Sequence, residues 1–112
     1  MSDLKTKFWV EALRWRAEGA GAAVYIARRG DPDAGAVIVK IATLDGMARV
    51  YAPTRTMEGE RAWMAPMGEE PVEESRADGY AERRGEDDPD LWVVEIEDRH
   101  GRHFLTEPIE KY

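Results

Sequence analysis

Cysteine is absent from this chain, and histidine and serine occur only twice each. Without cysteine there are no disulfides, no thiol catalysis and no thiolate metal sites. The sequence contains no G-x-S-x-G nucleophile motif and no glycine-rich phosphate loop leading into a helix. We therefore predict no catalytic residue and no cofactor. The sequence favours a protein without enzymatic activity but leaves that point open.

Long apolar runs are absent too, since no stretch approaches the ~20 apolar residues of a membrane span. The start, MSDLKTKFWVEALRW, lacks the basic region, apolar core and cleavage site of a signal peptide. We expect a cytoplasmic protein that does not associate with membranes.

The formal net charge is −7, which argues against nucleic-acid binding because such binding depends on neutralising phosphates. The charge is uneven: residues 1–55 carry a net +3, residues 56–98 a net −11 and residues 99–112 a net +1. Either the two halves neutralise each other in the fold, or one face meets a charged partner. A solvated acidic segment explains the asymmetry more simply than a partner does.

The length predicts a single domain over residues 1–112. Two helices are predicted, at residues 4–18 and 71–84. In the first, Trp9, Leu13 and Ala17 recur at helical spacing. In the second, Pro71 suits the first helical position, and acidic residues precede basic ones as the helix dipole favours.

Strand patterns occupy residues 22–29, 36–43, 48–52, 61–65 and 91–98, with a last short one at 103–106. Apolar residues on both faces mark the second strand as central. Short turns between successive strands imply antiparallel pairing. We predict a two-layer α+β fold, with both helices on one face of an antiparallel sheet of about five strands.

A short pattern occurs twice, as RRGDPD at residues 28–33 and as RRGEDDPD at residues 83–90. In the first copy, Asp31, Pro32 and Gly35 suit a hairpin turn between two strands. In the second, the glycine suits a helix end and Asp-Pro-Asp leads into a strand. The first copy opens like a calcium loop, but Ala42 stands where a bidentate glutamate belongs, so turn chemistry is preferred.

Turn chemistry does not explain the arginine pairs, Arg28 with Arg29 and Arg83 with Arg84. Guanidinium groups bind phosphate or carboxylate through paired hydrogen bonds. If both copies converge in space, these four residues form a ligand or anion site. The simpler explanation is that they pair with the excess acids of residues 56–98.

The sequence offers two further polar pairs. His100 and His103 are too few for a metal site, and the turn at Gly101 suggests that their side chains diverge, so we predict no metal. Glu95 and Glu97 share a strand face about 7 Å apart, which is compatible with acid–base chemistry. An exposed strand face explains the two glutamates more simply.

Four tryptophans are many for so short a chain. Trp9 and Trp92 have the spacing of core residues. Trp15 and Trp63 are expected to be half exposed, and aromatic side chains beside arginines are typical of an interface centre. Packing is the simpler explanation for each of the two singly, but one exposed tryptophan would form a contact patch, so Trp15 and Trp63 are the candidate interface residues.

Two segments, RRGDPDAGAVIVK and ADGYAERRGEDDPDLWVVEIEDRHGRHFL, resemble a small family of unknown function found chiefly in alphaproteobacteria. Its members carry a G-D-P-D-A-G loop and a D-P-D-L-W-V-x-E-I-E-D strand. The match runs from the helix at Leu4 to Leu105. The resemblance implies a single-domain bacterial protein and brings no assigned activity, cofactor or catalytic residue.

Two functions are compatible with these observations. The first is a non-catalytic protein-interaction module that binds an unknown protein partner, or a second copy through the first helix or an edge strand. The second is a small-molecule or anion-binding protein that uses the arginine pairs beside the two Asp-Pro-Asp turns. The first is preferred because of the broad apolar helix, the surplus tryptophans and the missing catalytic residues.

Overall fold

The computed structural model describes residues 4–111 of the chain, which contain two helices and six strands joined by loops. The helices are α1, Thr6–Gly19, and α2, Glu74–Asp87. The strands are β1, Ala23–Arg28; β2, Val37–Ala42; β3, Met47–Arg55; β4, Arg61–Met64; β5, Val72–Glu73; and β6, Trp92–Glu97. The predicted α+β class and both helices are confirmed, and the strands number six.

The strands form one open sheet in the order β1-β6-β2-β3-β4, with the short β5 also paired to β3. The pairings are antiparallel except that of β2 with β6, which is parallel. Every residue of β2 is buried, as predicted for a central strand. No helix of residues 4–111 is long and apolar enough to cross a membrane.

The predicted hairpin between β1 and β2 is wrong, because β6 lies between these two strands. The reason is burial. Trp92 and Val94 fill one face of β6 and Val93 the other, so β6 is covered on both faces. Tyr25 on β1 is 54% exposed, which suits an edge strand.

The two helices lie on opposite faces of the sheet rather than together on one. On β2, Val39 packs in the same buried cluster as Leu13 of α1. Its neighbour Ile38, which points to the other face, packs in the cluster that contains Ala77 of α2. The sheet is therefore the middle of three layers. The local cause is that β2 carries apolar side chains on both of its faces, so each face must be covered by a helix.

Several element bounds differ from the predictions. Helix α2 begins three residues later than predicted, because Val72 and Glu73 pair with β3 as β5. Strand β3 continues through Pro53, which lies beyond the last residue that pairs with β2. The predicted strand at residues 103–106 is not a strand, although Ile109 further on forms a parallel bridge with Trp63.

Candidate functional site

A cleft of about 450 Å³ opens between the start of α1, the loop before β2 and the β3–β4 hairpin. Small-molecule sites usually occupy about 300–1,000 Å³. The polar and aromatic residues that line this cleft are Thr6, Trp9, Asp33, Thr54, Arg55, Arg61, Trp63 and Glu107. The cleft therefore has the size and the chemistry to hold a small polar ligand.

Glu107 lies in this cleft, and each of its carboxylate oxygens accepts a hydrogen bond from an indole. Nε1 of Trp9 donates to Oε2 at 3.0 Å, and Nε1 of Trp63 donates to Oε1 at 2.9 Å. The two indole rings lie 5.4 Å apart, within the usual range of paired aromatic side chains. Burial raises the pKa of Glu107, but the Trp63 and Trp9 donors, a backbone hydrogen bond and the charge of Arg16 together lower it below its usual value, so the carboxylate is held in its charged form.

Two arginines face each other at the other end of the cleft. Arg55 on β3 and Arg61 on β4 are directly opposite, and strand alternation places Arg61 on the same face as Trp63. Nη1 of Arg55 donates to the Gly59 carbonyl at 3.0 Å. The cleft thus carries a negative charge at Glu107 and two positive charges near the hairpin tip.

A second candidate surface is the outer side of α1. Phe8 and Trp15, two turns apart, are 50% and 81% exposed, and Leu4 just before the helix is 54% exposed. We call these three residues the docking face. The opposite side of the helix is buried through Val10, Leu13 and Ala17. The helix therefore presents apolar surface both to the sheet and to solvent.

Charges of both signs border the docking face. The Lys7 ammonium lies 5.1 Å from the Phe8 ring. Arg14 and Glu18 form an exposed ion pair at 3.3 Å, and Glu11 is exposed between the two aromatic residues. The rim is consequently mixed in charge rather than uniformly basic or acidic.

The two copies of the repeated pattern meet in space, which the sequence could not establish. The Asp31 N–H donates to the Asp90 carbonyl at 3.0 Å, and the Trp92 indole donates to the Asp31 carbonyl at 2.8 Å. A Cβ atom at either Gly30 or Gly35 would collide with the Asp90 carbonyl oxygen. Gly30 in the first copy and Gly35 just after it are therefore required by the contact with the second copy.

The first copy also caps α1. Backbone N–H groups of Thr6 and Lys7 donate to the carbonyls of Asp33 and Pro32 at 3.2 and 2.9 Å. The Thr6 hydroxyl donates to the Gly35 carbonyl at 2.8 Å. These contacts satisfy donors that a helix start leaves without intrahelical partners. The loop is thus a structural connection between α1 and the sheet.

Arg28 and Arg29 both bind the protein itself. Nε of Arg28 donates to the Leu91 carbonyl at 3.2 Å, and its guanidinium lies against Gly85, the glycine of the second copy. The Arg29 guanidinium lies 5.1 Å from the Trp92 ring, within cation–π range. This pair links the two copies of the pattern.

Arg84 is also engaged, whereas Arg83 is exposed. Nη1 of Arg84 donates to the Tyr80 hydroxyl at 2.7 Å, and its guanidinium lies 5.7 Å from the same ring. Arg83 extends along α2, near Gly79. The two copies of the pattern lie in contact, but Arg28, Arg29 and Arg84 each bind another group of the protein, so three of the four guanidinium groups are used by the fold.

The two tryptophans predicted at an interface have different positions. Trp15 is exposed on the docking face. Trp63 is only 6% exposed, so its expected half-exposed position is wrong. Trp9 packs against Trp63. The backbone N–H of Trp63 donates to the Pro108 carbonyl, and the Trp63 carbonyl accepts a hydrogen bond from the Glu110 N–H in the C-terminal segment. That segment, not a partner, covers Trp63.

Lys40 forms a buried ion cluster on the α2 side of the sheet. Its ammonium lies 2.8 Å from Glu74, 2.5 Å from Asp78 and 3.0 Å from Glu95, and the residue is 3% exposed. Burial lowers the pKa of Lys40, but the three carboxylates raise it well above its usual 10.5. Glu95 is therefore a partner of Lys40 rather than half of an exposed pair with Glu97.

The carboxylate oxygens of Glu74, Asp78 and Glu95 lie within 4.8 Å of one another, close enough for a metal ion. The Lys40 ammonium bonds to all three. The cation in this arrangement is a side chain of the protein.

The two histidines do not act together. His100 is exposed, whereas Nδ1 of His103 accepts a hydrogen bond from the Leu105 N–H at 2.9 Å. The His103 ring lies edge-on to Tyr51, 5.3 Å away. Burial and the nearby Arg49 lower the pKa of His103. Its role is packing and support of the chain after Gly101.

Glu107 is the site residue that sequence reasoning missed. It belongs to no motif, and its partners Trp9 and Trp63 lie 98 and 44 positions away. Arg61 escaped notice for the same reason, since its neighbour across the strands is visible only once β3 and β4 are paired. No local signal could have identified this cleft.

A family model and two solved structures name the same family. A family model described as "Protein of unknown function (DUF1491)" matches residues 4–106. A crystal structure of a DUF1491 family protein from Caulobacter crescentus CB15 matches with a TM-score of 0.89 and 51% identity, covering 96% of this chain and 100% of that chain.

Two solution structures are also similar. The NMR structure of a DUF1491 family protein from Caulobacter crescentus CB15 has a TM-score of 0.85 and 50% identity, covering 99% of this chain and 100% of that one. Protein Atu0922 from A. tumefaciens has a TM-score of 0.78 and 30% identity over 98% of both chains. A search of the curated proteins found no match.

Proposed function

We propose that this chain, which belongs to the DUF1491 family of proteins of unknown function, is a bacterial cytoplasmic protein-interaction module. It binds the apolar groove of a partner protein through the docking face of α1. The single observation that carries the proposal is Trp15, a tryptophan that is 81% exposed on a well-packed helix. Trp is enriched among the residues that dominate binding energy at interfaces.

The docking face has the spacing of a helix that binds in a groove. Such helices present apolar anchors on one side, separated by one or two turns. From Leu4 to Trp15 the face is about 16 Å long, at 1.5 Å per residue. Full burial of a large apolar side chain contributes about 1.5–3 kcal/mol, so three anchors can support specific binding.

The rim defines the charge of the groove. Lys7 is best matched by a carboxylate on the partner, and Glu11 by a basic side chain. An anionic membrane surface would attract Lys7 but repel Glu11 and Glu18, so a protein groove fits this rim better than a lipid surface. Nucleic acid is disfavoured for the same reason.

Ligand binding by the arginine pairs is less well supported. Arg28, Arg29 and Arg84 bind a backbone carbonyl, an indole ring and a phenol hydroxyl of the protein itself. An anion would have to displace these contacts, which join the two copies of the repeated pattern. The docking face requires no such rearrangement.

Site-specific photo-crosslinking tests the proposal. A photoreactive phenylalanine analogue replaces Trp15 in the bacterium that carries the chain, and captured proteins are identified. The matched control places the same analogue at Met57, a 99% exposed apolar residue at the β3–β4 tip. We expect a protein captured from position 15 and not from position 57.

Capture alone does not decide the matter. The captured protein must bind the purified wild-type chain, and Trp15→Ala must weaken binding by about 30-fold or more, the ~2 kcal/mol expected of a central anchor. The proposal is wrong if Trp15→Ala binds as tightly as wild type. It is equally wrong if the only species bound through Trp15 are anionic lipid vesicles or a second copy of this chain, detected by sedimentation.

A further inference from the structure

We propose that two copies of this chain pair through the outer edge of β1, antiparallel about a two-fold axis at Tyr25, so that one sheet runs through both copies. The contact uses the main chain of a sheet edge and not the docking face of α1. The pairing therefore does not depend on the proposed function, and both surfaces can be occupied at once.

The outer edge of β1 is open. Strand β1 lies at one end of the sheet and pairs on one side only, with β6. Within residues 4–111, no backbone hydrogen bond outside the regular helices and strands involves residues 23–28. The N–H and C=O groups that point away from β6 are therefore left to solvent or to another chain. An edge strand of this kind is a ready template for strand pairing.

The opposite end of the sheet is covered. On β4, the Trp63 N–H donates to the Pro108 carbonyl, and the Trp63 carbonyl accepts from the Glu110 N–H. Ile109 completes a parallel bridge with Trp63. The C-terminal segment thus supplies β4 with the main-chain partners that β1 lacks.

Strand β1 also lacks the usual protection of an exposed edge. Proteins commonly guard such edges with charged residues, with proline or with very short strands. Residues 23–27 contain neither a charge nor a proline, and the strand is six residues long. A β-bulge between Ile26 and Arg28 ends the regular edge. The uncharged segment ahead of it is what a second chain would meet.

The uncharged segment is matched to itself. Residues 23–27 read Ala-Val-Tyr-Ile-Ala, so the sizes and branching of the side chains are nearly the same in both directions. In a two-fold contact, residue i of one copy meets residue j of the other and j meets i. With Tyr25 on the axis, Val24 meets Ile26 and Ala23 meets Ala27. Aromatic and β-branched cross-strand pairs of this kind stabilise a sheet, and no like charges meet.

This register keeps each side chain on its own face of the sheet. Val24 and Ile26 belong to the apolar cluster on the α1 side, so their pairs extend that cluster across the axis. Tyr25 points to the other face, where it is 54% exposed, and the tyrosine of the second copy would cover it. A register shifted by one residue would set Val24 against Tyr25 and mix the two faces. The side-chain pattern therefore favours the axis at Tyr25.

Disulfide trapping tests the contact in the full chain. The sequence contains no cysteine, so one introduced thiol reports on one position. Directly opposite Cα atoms of an antiparallel pair lie about 4.5–5.5 Å apart, which suits a disulfide. We expect Tyr25→Cys to form a linked dimer under mild oxidation roughly tenfold or more faster than Met57→Cys or Trp15→Cys, because only position 25 meets its own copy. Equal rates at the three positions would overturn the proposal, as would fastest linkage at position 15.

Sedimentation velocity supplies a test without oxidation. Wild type should form a reversible dimer as its concentration rises toward about 1 mM. Tyr25→Lys and Tyr25→Glu should each be monomeric, because like charges would face each other across the axis. An equimolar mixture of the two variants should restore the dimer, which requires that position 25 meets position 25. Met57→Lys is the control and should dimerise as wild type does, and urea unfolding checks that every variant is folded.

Two results of the sedimentation experiment would overturn the proposal. Wild type that remains monomeric up to about 1 mM would show that the edge of β1 does not bind a second copy. A dimer that persists in Tyr25→Lys would place the contact elsewhere on the chain.

Discussion

The two helices are held on the sheet by different means. Helix α1 packs large apolar side chains, among them Val10 and Leu13, and adds Trp9 against the aromatic cluster. The buried residues of helix α2 are Ala77, Ala81 and Gly85, and the partly buried Tyr80 packs against the same cluster. Its further attachment is ionic, through two carboxylates on Lys40. One helix is thus fixed by large apolar side chains, and the other combines small apolar contacts with ion pairs to Lys40.

This difference explains part of the uneven charge along the chain. Lys40 belongs to the basic first half, whereas Glu74, Asp78 and Glu95 belong to the acidic segment. At this point the halves do neutralise each other inside the fold. The two helices also differ in exposed apolar surface. Helix α1 has more apolar side chains than the sheet covers, and the uncovered ones form the docking face.

The largest expected effect on stability is at Lys40, in the ion cluster on the α2 side of the sheet. Lys40→Met should destabilise the protein by about 3–5 kcal/mol, because it leaves three carboxylates close together without their cation. Urea unfolding measures the change, with Arg76→Met on exposed α2 surface as the matched control. A loss for Lys40→Met no larger than that of the control would show that α2 is held by packing.

On the α1 side of the sheet, stability should depend on the aromatic contact of Trp9. Trp9→Ala should cost about 2–4 kcal/mol, because it removes the ring that packs on Trp63 and leaves a cavity. It should also move the Trp63 indole signal, which shares Glu107. If Trp9→Ala unfolds at the same urea concentration as wild type, α1 does not depend on this aromatic contact.

The two sides should also respond to opposite extremes of pH. The folded pKa of Lys40 is raised, so its contribution is complete below pH 10.5 and is lost as pH rises above that value. The folded pKa of His103, on the α1 side, is lowered, so its contribution is present above pH 6.5 and lost as pH falls below it. Unfolding midpoints at pH 5, 7, 9 and 11 measure the acid arm and the onset of the alkaline arm.

Each arm has its own control. Lys40→Met should flatten the alkaline arm and His103→Gln the arm between pH 7 and 5. Either variant keeping the full wild-type slope would contradict the assignment.

A carboxylate, Asp98, extends the acid response to lower pH. Hydrogen bonds from Arg102 lower the pKa of Asp98 to about 2, so its contribution is present above pH 3.8 and is lost as pH falls toward 2. After allowance for solvent screening around Arg102 this amounts to about 1–2 kcal/mol. Asp98→Asn should remove the change in unfolding free energy between pH 4 and pH 2. An unchanged slope in that variant would assign the acid response to other groups.

The smallest effect on stability is expected at Trp15. Trp15→Ala should change the free energy of unfolding by no more than about 0.5 kcal/mol, because its side chain is 81% exposed. Comparing this loss of stability with that of Trp9→Ala, six residues away on the same helix, tests most directly whether one side of α1 is structural and the other is free surface. A loss comparable to that of Trp9→Ala would mean that Trp15 is structural.

Much of the architecture could be predicted because it depends on local patterns. The apolar spacing of α1 and the two-faced burial of β2 are properties of consecutive residues, and both predictions are confirmed. The resemblance to a family of unknown function is confirmed as well. The motifs that suggested it occupy the contact between the two repeated patterns, where Gly30 and Gly35 admit no side chain.

The errors arose where distant residues decide the outcome. Turn residues predicted a change of direction at Asp31, but they could not reveal that β6 would insert beside β1. The Glu107 cleft depends on contacts over 98 positions. Lys40 did leave a signal: a lysine in a strand that is apolar on both faces indicates a buried partner for its charge.

Binding of the purified partner to wild type and to Trp15→Ala tests the central claim most directly. Isothermal titration with the protein captured at position 15 should give a dissociation constant about 30-fold or more weaker for the variant, while Met57→Ala binds as wild type does. Equal affinities for Trp15→Ala and wild type would contradict the claim that the outer face of α1 is the surface through which this protein acts.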